Sequence, residues 1–475
     1  MSQGGLSLKV LLVNPPVLNI IESEVPKKFG EIIEVLPPLG LMYLSSYAKS
    51  KTPHTIEILD CIADNLSHDD IRKIIAGKAP DMVGVRSTTH NFLDALYVCR
   101  AAKETLKKVF TCVGGPHVTS YASETMTFPE VDSVIVGEGE ESFVELLNYL
   151  ETGEPVKSKG SVFIKGVNEV KDVLYRIMEN LDEIPYPDWT GLDINKYFNL
   201  ASSSKRLATI ITTRGCPFKC IFCNTPRSRI RMRSVENILD EIRLCKERGI
   251  KDIFIIDDTF NLKKDRVKEL CRGMIRERMN LRWSFKAKVN QVDEELLALA
   301  REAGCIRIQF GVETGTDEGL KFMKKGISTD DIRNAFRLSR KAGIETVAYF
   351  IIGNPYEKTI QDIYKSVDFA LSIDPDYALF GILAIYPDTE LYNMAKVKKV
   401  ISDDIWRNYA LNPTIKFITP VWDEYFSRDE LVKILMKVNR RFYYRPRVIF
   451  RNLKKITSPM DLVNKVRFAL SMMKK

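Results

Sequence analysis

The chain has 475 residues, 45% of them hydrophobic, which is too long for one ordinary core and enough for two or three domains. No uncharged apolar run approaches the roughly 20 residues of a bilayer span, and residues 1–8 are small and polar, so neither a membrane span nor a secretory leader is expected. The net charge of +9 is uneven: residues 440–475 hold eleven Lys or Arg against one acid, leaving residues 1–439 at −1, so the basicity belongs to a tail.

Residues 9–16 (KVLLVNPP) form a continuous apolar run closed by a proline pair, the pattern of a strand buried on both faces of a parallel sheet. Apolar residues then recur at helical spacing over 37–51. Strands are predicted at 55–62, 81–87, 110–114 and 131–136, with helices at 69–76, 91–107 and up to about 150. This alternation predicts a doubly wound, Rossmann-like α/β domain over 8–150, with its ligand beyond the carboxyl ends of the strands. Those ends carry Asn14 and Pro15; Ser87, Thr88 and Thr89; Gly114, Gly115 and His117; and Gly137 and Glu138. No strand runs into GxGxxG, so a dinucleotide site has little support. Residues 151–206 read as a structured linker, with a hairpin over 161–173 and two prolines in LDEIPYPDW that force an extended path.

A second alternating series has strands at 208–213, 252–257, 282–289, 307–312, 346–352 and 377–385. Six βα repeats predict a partial (β/α)6 TIM-like barrel over 207–395, active at the carboxyl ends of its strands. The first strand opens into RGCPFKCIFC, which places Cys216, Cys220 and Cys223 on one short loop. Three thiolates there can hold three corners of an iron–sulfur cluster and leave one iron open. Zinc would want a fourth ligand nearby, and residues 224–244 contain neither Cys nor His. The other six cysteines (Cys61, Cys99, Cys112, Cys245, Cys271, Cys305) sit in apolar contexts and read as buried small hydrophobes. Nine cysteines without paired spacings outside the loop indicate reduced thiols and a cytoplasmic protein.

Later strand ends add Asp257 and Asp258, a pair that is costly unless it meets a cation. Lys286 and Lys288 share one strand face, and Gln309, Gly311 and Glu313 share another; Gly353 ends the fifth strand, with Glu357 beyond it. After residue 396 the pattern is helical and basic, with Trp406, Pro413 and Trp422 as pocket-covering candidates. In RRFYYRPRVIFRNLKK the apolar stripe beside the charges favours a membrane surface or a lipid-like substrate over nucleic acid, though a charged helix closing the barrel is an equal alternative.

The CxxxCxxC spacing, with Phe222 before the last cysteine, resembles the cluster loop of the radical S-adenosylmethionine (SAM) enzymes. The order NPP, PPLG, GGPH and VGEGE resembles the cobalamin-binding domain that precedes the radical domain in one subclass. The resemblance implies a 4Fe-4S cluster on Cys216, Cys220 and Cys223, and SAM contacts at Phe222, Asp257, Asp258, Lys288, Gln309, Glu313 and Gly353. For Lys288 the alternative is a solvated side chain, and for Glu313 a salt bridge with a neighbouring lysine. The same resemblance puts cobalamin on Asn14, Pro15, Ser87, Thr88, Thr89, Gly114, Gly115, His117, Gly137 and Glu138. DxHxxG is absent, so histidine ligation of that kind is not expected, and His117 reads as a hydrogen-bonding loop residue. A domain that has kept the fold and lost the corrin is the alternative. The implied reaction is cobalamin-dependent methylation of an unactivated carbon, with the hard chemistry left to the cofactors and no catalytic side chain assigned. Ring formation, C–C coupling or oxidation of a lipid or isoprenoid without methyl transfer is the competing outcome. Implied partners are a small-molecule or lipid-like substrate and an external one-electron reductant of flavodoxin or ferredoxin type. A peripheral membrane contact through 440–475 is a further possibility.

Overall fold

In the computed structural model, which describes residues 7–21, 34–157, 160–199, 202, 204–225, 229–402, 404–454 and 462–463, the KVLLVN run is strand β1 (Lys9–Asn14), and Val10 to Asn14 are all buried. It is buried because it is central: β1 pairs in parallel with β2 (Thr55–Asp60) on one side and β3 (Met82–Arg86) on the other. Helix α1 (Leu39–Lys51) joins β1 to β2, and α2 (His68–Lys78) joins β2 to β3. The first turn of α2 is fixed by a capping box between Ser67 and Asp70. Then come α3 (Phe92–Thr105), β4 (Phe110–Gly114), α4 (Pro116–Ser120), α5 (Ala122–Thr125), β5 (Ser133–Ile135), α6 (Glu140–Thr152) and β6 (Val162–Ile164). The sheet order is β2-β1-β3-β4-β5-β6. Strand order reverses between β1 and β3, so the ligand crevice of such a sheet opens at Asn14 and Arg86.

Of the hairpin expected over 161–173 the turn forms, with Ile164 O accepting from Val167 N and Asn168 N, and Leu174 N returning to Gly160 O, but the second strand does not. Val162, Phe163 and Ile164 are buried and pair antiparallel with β5 instead, because three consecutive apolar residues find more cover on an open sheet edge than in a local turn. The stretch read as a linker is divided as well. The first unit comprises Met1–Glu22, Pro38–Lys196 and Asp404–Ile418, and the second Ser23–Pro37, Tyr197–Asp403 and Thr419–Lys475. Asp188 ties its segment to α1 by accepting from Ser45 Oγ and Lys49 Nζ, both at 2.6 Å.

The second unit repeats the βα pattern: β7 (Leu207–Ile210), the short pair β8 (Thr213–Arg214) and β9 (Arg231–Met232), α7 (Val235–Glu247), β10 (Asp252–Ile255), α8 (Lys264–Arg276), β11 (Arg282–Ala287), α9 (Glu294–Glu302), β12 (Cys305–Glu313), α10 (Asp317–Phe322), α11 (Thr329–Lys341), β13 (Glu345–Ile352), α12 (Ile360–Ile373) and β14 (Tyr377–Ile382). Its main sheet runs β7, β10, β11, β12, β13, β14 in unbroken chain order, all parallel. Because every pair is parallel, all carboxyl ends lie at one end of the sheet.

The region after 396, read as one helical extension, splits between the units. Helix α13 (Glu390–Val397) belongs to the second, and α14 (Ile405–Leu411) belongs to the first. There Trp406 is fully buried against Tyr409 and Phe417, a core residue and not a pocket cover. Pro413 does line a cavity of about 560 Å³ with Leu93, Tyr97, Arg100 and Phe128. Helix α15 (Arg428–Tyr443) packs its apolar face on the second sheet, where Tyr443 Oη donates to Ala378 O at 2.8 Å; Trp422 is core there. Arg445, Arg447 and Arg451 of the last turn and of α16 (Pro446–Lys454) all reach Asp374. Most of the basic tail beyond 454 lies outside the described residues. Among those described, no helix is long and apolar enough to cross a membrane.

Candidate cluster and cofactor sites

The cysteine loop leaves β8 through Gly215, whose φ of 93° only glycine adopts easily. Its middle is anchored: Ile221 is buried, its N–H donates to Met323 O at 3.2 Å, and its carbonyl accepts from Leu391 N at 2.9 Å. This holds Cys216, Cys220 and Cys223 half-exposed, whereas the other six cysteines are buried. Burial pushes the Cys216 and Cys220 thiols above their ordinary range, with the other loop thiols adding to the effect. Metal binding would remove that cost, since a coordinating thiol is deprotonated outright. Among the described residues no three His, Cys, Asp or Glu side chains converge as a single ion requires. A cluster takes one thiolate at each of several irons, so three separated thiols on one loop fit it and do not fit a lone zinc.

Asp257 and Asp258 behave differently, because neighbouring residues leave a strand end in opposite directions. Asp257 is 2% exposed, and its carboxylate accepts from Thr212 N at 2.6 Å and from the Thr212 hydroxyl. It braces the root of the cysteine loop and is not free for a cofactor ammonium, which corrects the expectation above. Asp258 is exposed; crowding raises its pKa, and Lys286 works against that rise.

Lys288 is buried, not solvated. Its backbone is clamped by Asn261, and its Nζ lies 3.4 Å from the centre of the Phe218 ring, between Cys216 and Cys220 in sequence. Glu313, in the left-handed region at φ 68°, accepts from Lys325 Nζ at 2.5 Å. Of the two readings offered for Glu313, the salt bridge is the one in place. Gly311 makes room for it, since a Cβ there would stand 2.5 Å from Glu313 Oε1 and 2.7 Å from Lys325 Nζ. Lys325 was missed from sequence; its signal is the MKKGIS turn after α10. Gln309 Oε1 accepts from Tyr349 Oη at 2.6 Å, and Phe222 is half-buried. Gly353 has φ 78°, with Leu431 packed against it. Just beyond, Glu357 is 1% exposed and accepts from Asn354 N; burial pushes its carboxyl up to about 7.

In the first unit, Asn14 is buried, donates to Asp60 Oδ1 at 2.8 Å and accepts at 3.4 Å from Arg86 Nη1. Among the described residues that single long bond leaves most of the Arg86 donors unused at the switch point, a second residue that sequence reading missed. Pro15 and Ser87 are buried, and Thr88 bonds Asn91 Oδ1 through N–H and hydroxyl. Gly115 (φ 113°) lets the loop after β4 press on Ser87, whose carbonyl a Cβ would meet at 2.5 Å. Gly114 has no such crowding, with Ile135 O at 3.7 Å the nearest neighbour of a Cβ. Gly137 is at φ 78°, and Glu138 accepts from Met178 N. His117 is fully buried, its ring centre 3.8 Å from that of Phe92 and its Nδ1 3.2 Å from the Thr89 hydroxyl. Burial brings it down to about 3, so it is neutral. It packs inside the domain against Phe92 and Tyr121.

Residues 210–370 match the radical SAM superfamily, and residues 30–147 match the B12 binding domain. An uncharacterised methyltransferase of Pyrococcus horikoshii is 34% identical over 94% of this chain and 95% of that protein. The chain belongs to the radical SAM enzymes that carry a B12-binding domain. This radical SAM enzyme is also 28% identical, over 87% of its length and 75% of the relative's, to an anaerobic magnesium-protoporphyrin IX monomethyl ester cyclase of Rubrivivax gelatinosus. It shares its fold with OxsB, a cobalamin-dependent SAM radical enzyme solved with aqua-cobalamin and SAM: the TM-score is 0.73 at 18% identity, covering 98% of this chain and 72% of that one. Its cofactors are a 4Fe-4S cluster, SAM and cobalamin. The residues fit them, with accessible thiols grouped on one loop for the cluster and a close-packed glycine turn beside under-used donors for a corrin.

Proposed function

We propose that this enzyme methylates an unactivated carbon of a small-molecule or lipid-like substrate. The observation that carries the reading is the combination, in one chain, of a three-thiol loop and a glycine-turned crevice at the switch point of a second sheet. When bound, the cluster and SAM supply a 5′-deoxyadenosyl radical and cobalamin supplies the methyl group. The chain's share is to hold and orient. Cys216, Cys220 and Cys223 ligate the cluster, and Asp257 fixes the root of their loop through Thr212. Asp258, Phe222, Gln309 and Gly353 line the SAM side. Asn14, Arg86, the Ser87 to Thr89 turn, Gly114, Gly115 and Gly137 form the corrin side. An external flavodoxin- or ferredoxin-type donor supplies the electron. At the other end of the chain, the exposed Arg447, Ile449 and Phe450 of α16 support a peripheral contact with an anionic membrane surface.

Anaerobic reconstitution with iron, sulfide and hydroxocobalamin, read by visible absorption, is expected to give cluster and corrin bands together. Turnover should then yield one deoxyadenosine per product heavier by CH₂. A fully loaded cluster with no corrin would sink the methyl-transfer reading, and deoxyadenosine beside a product without added CH₂ would move the assignment to cyclisation or coupling.

A further inference from the structure

Lys288 is 8% exposed, and a buried ammonium ordinarily has a carboxylate partner. Lys288 has none within ion-pair distance among the described residues. Its neighbour Lys325 differs, being balanced by Glu313 at 2.5 Å. Gly326 packs beside Lys288, where a Cβ would lie 3.6 Å from Nζ, so both lysines flank the same loop. The Phe218 face, 3.4 Å away, offsets part of the desolvation but supplies no net negative charge. Phe218 stands two residues from Cys216 and two from Cys220, so its ring holds the ammonium against the middle of the cysteine loop.

We infer that Lys288 is the fixed counter-cation of the cluster, there to hold its charge and raise its reduction potential, and not a SAM carboxylate contact. The inference rests on the three loop cysteines being the cluster's ligands. With three thiolates, an oxidised 4Fe-4S core of charge 2+ carries −1 overall. It carries −2 after taking one electron from the external flavodoxin- or ferredoxin-type donor, and no bond is made or broken in that step. A cation buried beside the loop stabilises the more negative state more strongly, because Coulomb energy scales with the charge it meets and is little screened there. Net charge is among the factors that set cluster potentials.

The test uses the full-length chain, reconstituted anaerobically and titrated with mediators while the reduced cluster is followed by electron paramagnetic resonance, without SAM. Lys288→Met keeps the stem packed on Phe218 and removes the charge, and Lys288→Arg keeps the charge. In Lys288→Met the ratio of reduced to oxidised cluster at a given potential is expected to fall about tenfold, about 59 mV for a one-electron couple, at unchanged iron and sulfide content. Lys288→Arg should stay near wild type. Loss of iron in Lys288→Met with retention in Lys288→Arg would also support the inference, since the charge is then needed to hold the cluster at all. An unchanged potential in Lys288→Met, or loss of iron in both variants, would overturn it. Failure of the underlying ligand assignment looks different: Cys216→Ala, Cys220→Ala and Cys223→Ala would then retain a full cluster.

Discussion

Both units place their unusual residues where parallel sheets place them, at the carboxyl ends, yet the two sets differ in kind. In the first unit the charge at the strand ends is chiefly that of Arg86 and the buried Asp60, beside neutral residues. Asp60 is buried under Asn14, His117 is uncharged inside the core, and the contact with Ser87 is made by a glycine backbone. In the second unit the ends carry ionisable groups: half-exposed thiols, the exposed Asp258, the buried Lys288 and the Glu313–Lys325 pair. A broad macrocycle needs close approach of backbone, whereas a cluster and a charged cofactor need counter-charges. The fold supplies the place, and the residues there supply the chemistry.

The sharpest way to break this comparison is to empty one site and ask whether the other notices. Cys216→Ala, Cys220→Ala or Cys223→Ala should abolish iron loading and SAM cleavage while leaving corrin absorbance in the first unit unchanged. Loss of both cofactors together would show that the sites are not separable. Next in size is the buried ion pair. Lys325→Met leaves the carboxylate of Glu313 without its cation, and breaking such a pair costs about 3–5 kcal/mol. Lys325→Met combined with Glu313→Gln should recover more than half of that in thermal unfolding. A single-variant loss below about 1 kcal/mol, the range of solvated pairs, would mean that Glu313 is available to the cofactor after all.

The strands of both sheets were legible because long apolar runs alternate with amphipathic helices, and the cysteine loop because its spacing is local. What escaped depends on distant partners. The edge strand β6 was read as half of a hairpin because its true partner, β5, lies a helix away. The roles of Asp257 and Asp258 turn on which neighbour faces Thr212, and strand parity stops deciding that once the chain leaves the sheet. Lys325 meets Glu313 only because a helix and a turn bring it back to the strand. His117 read as a loop residue near a ligand; Phe92, Tyr121 and the ring of Tyr409, supplied by a segment near the other end of the chain, enclose it.

The smallest effect separates the units by pH. His117 has its folded pKa at about 3, below the ordinary 6.5. Its neutral form belongs to the native state, so its contribution is present above 6.5 and lost as pH falls toward 3. Glu357 is the reverse, with a folded pKa of about 7 against an ordinary 4.5. Its protonated form belongs to the native state, so its contribution is present below 4.5 and lost as pH rises through 7. At about 1.4 kcal/mol per pKa unit, the second effect is about 3 kcal/mol. Glu357→Gln keeps an acceptor for Asn354 N and removes the titration. Unfolding of the apo chain followed from pH 4 to 8 should therefore lose its decline between 4.5 and 7 in Glu357→Gln and keep its acid-side decline, to which His117 contributes. If the alkaline-side decline survives the substitution, the group responsible is another carboxyl, with Asp258 at the strand mouth the first to try, because desolvation by its crowded surroundings raises its pKa as well.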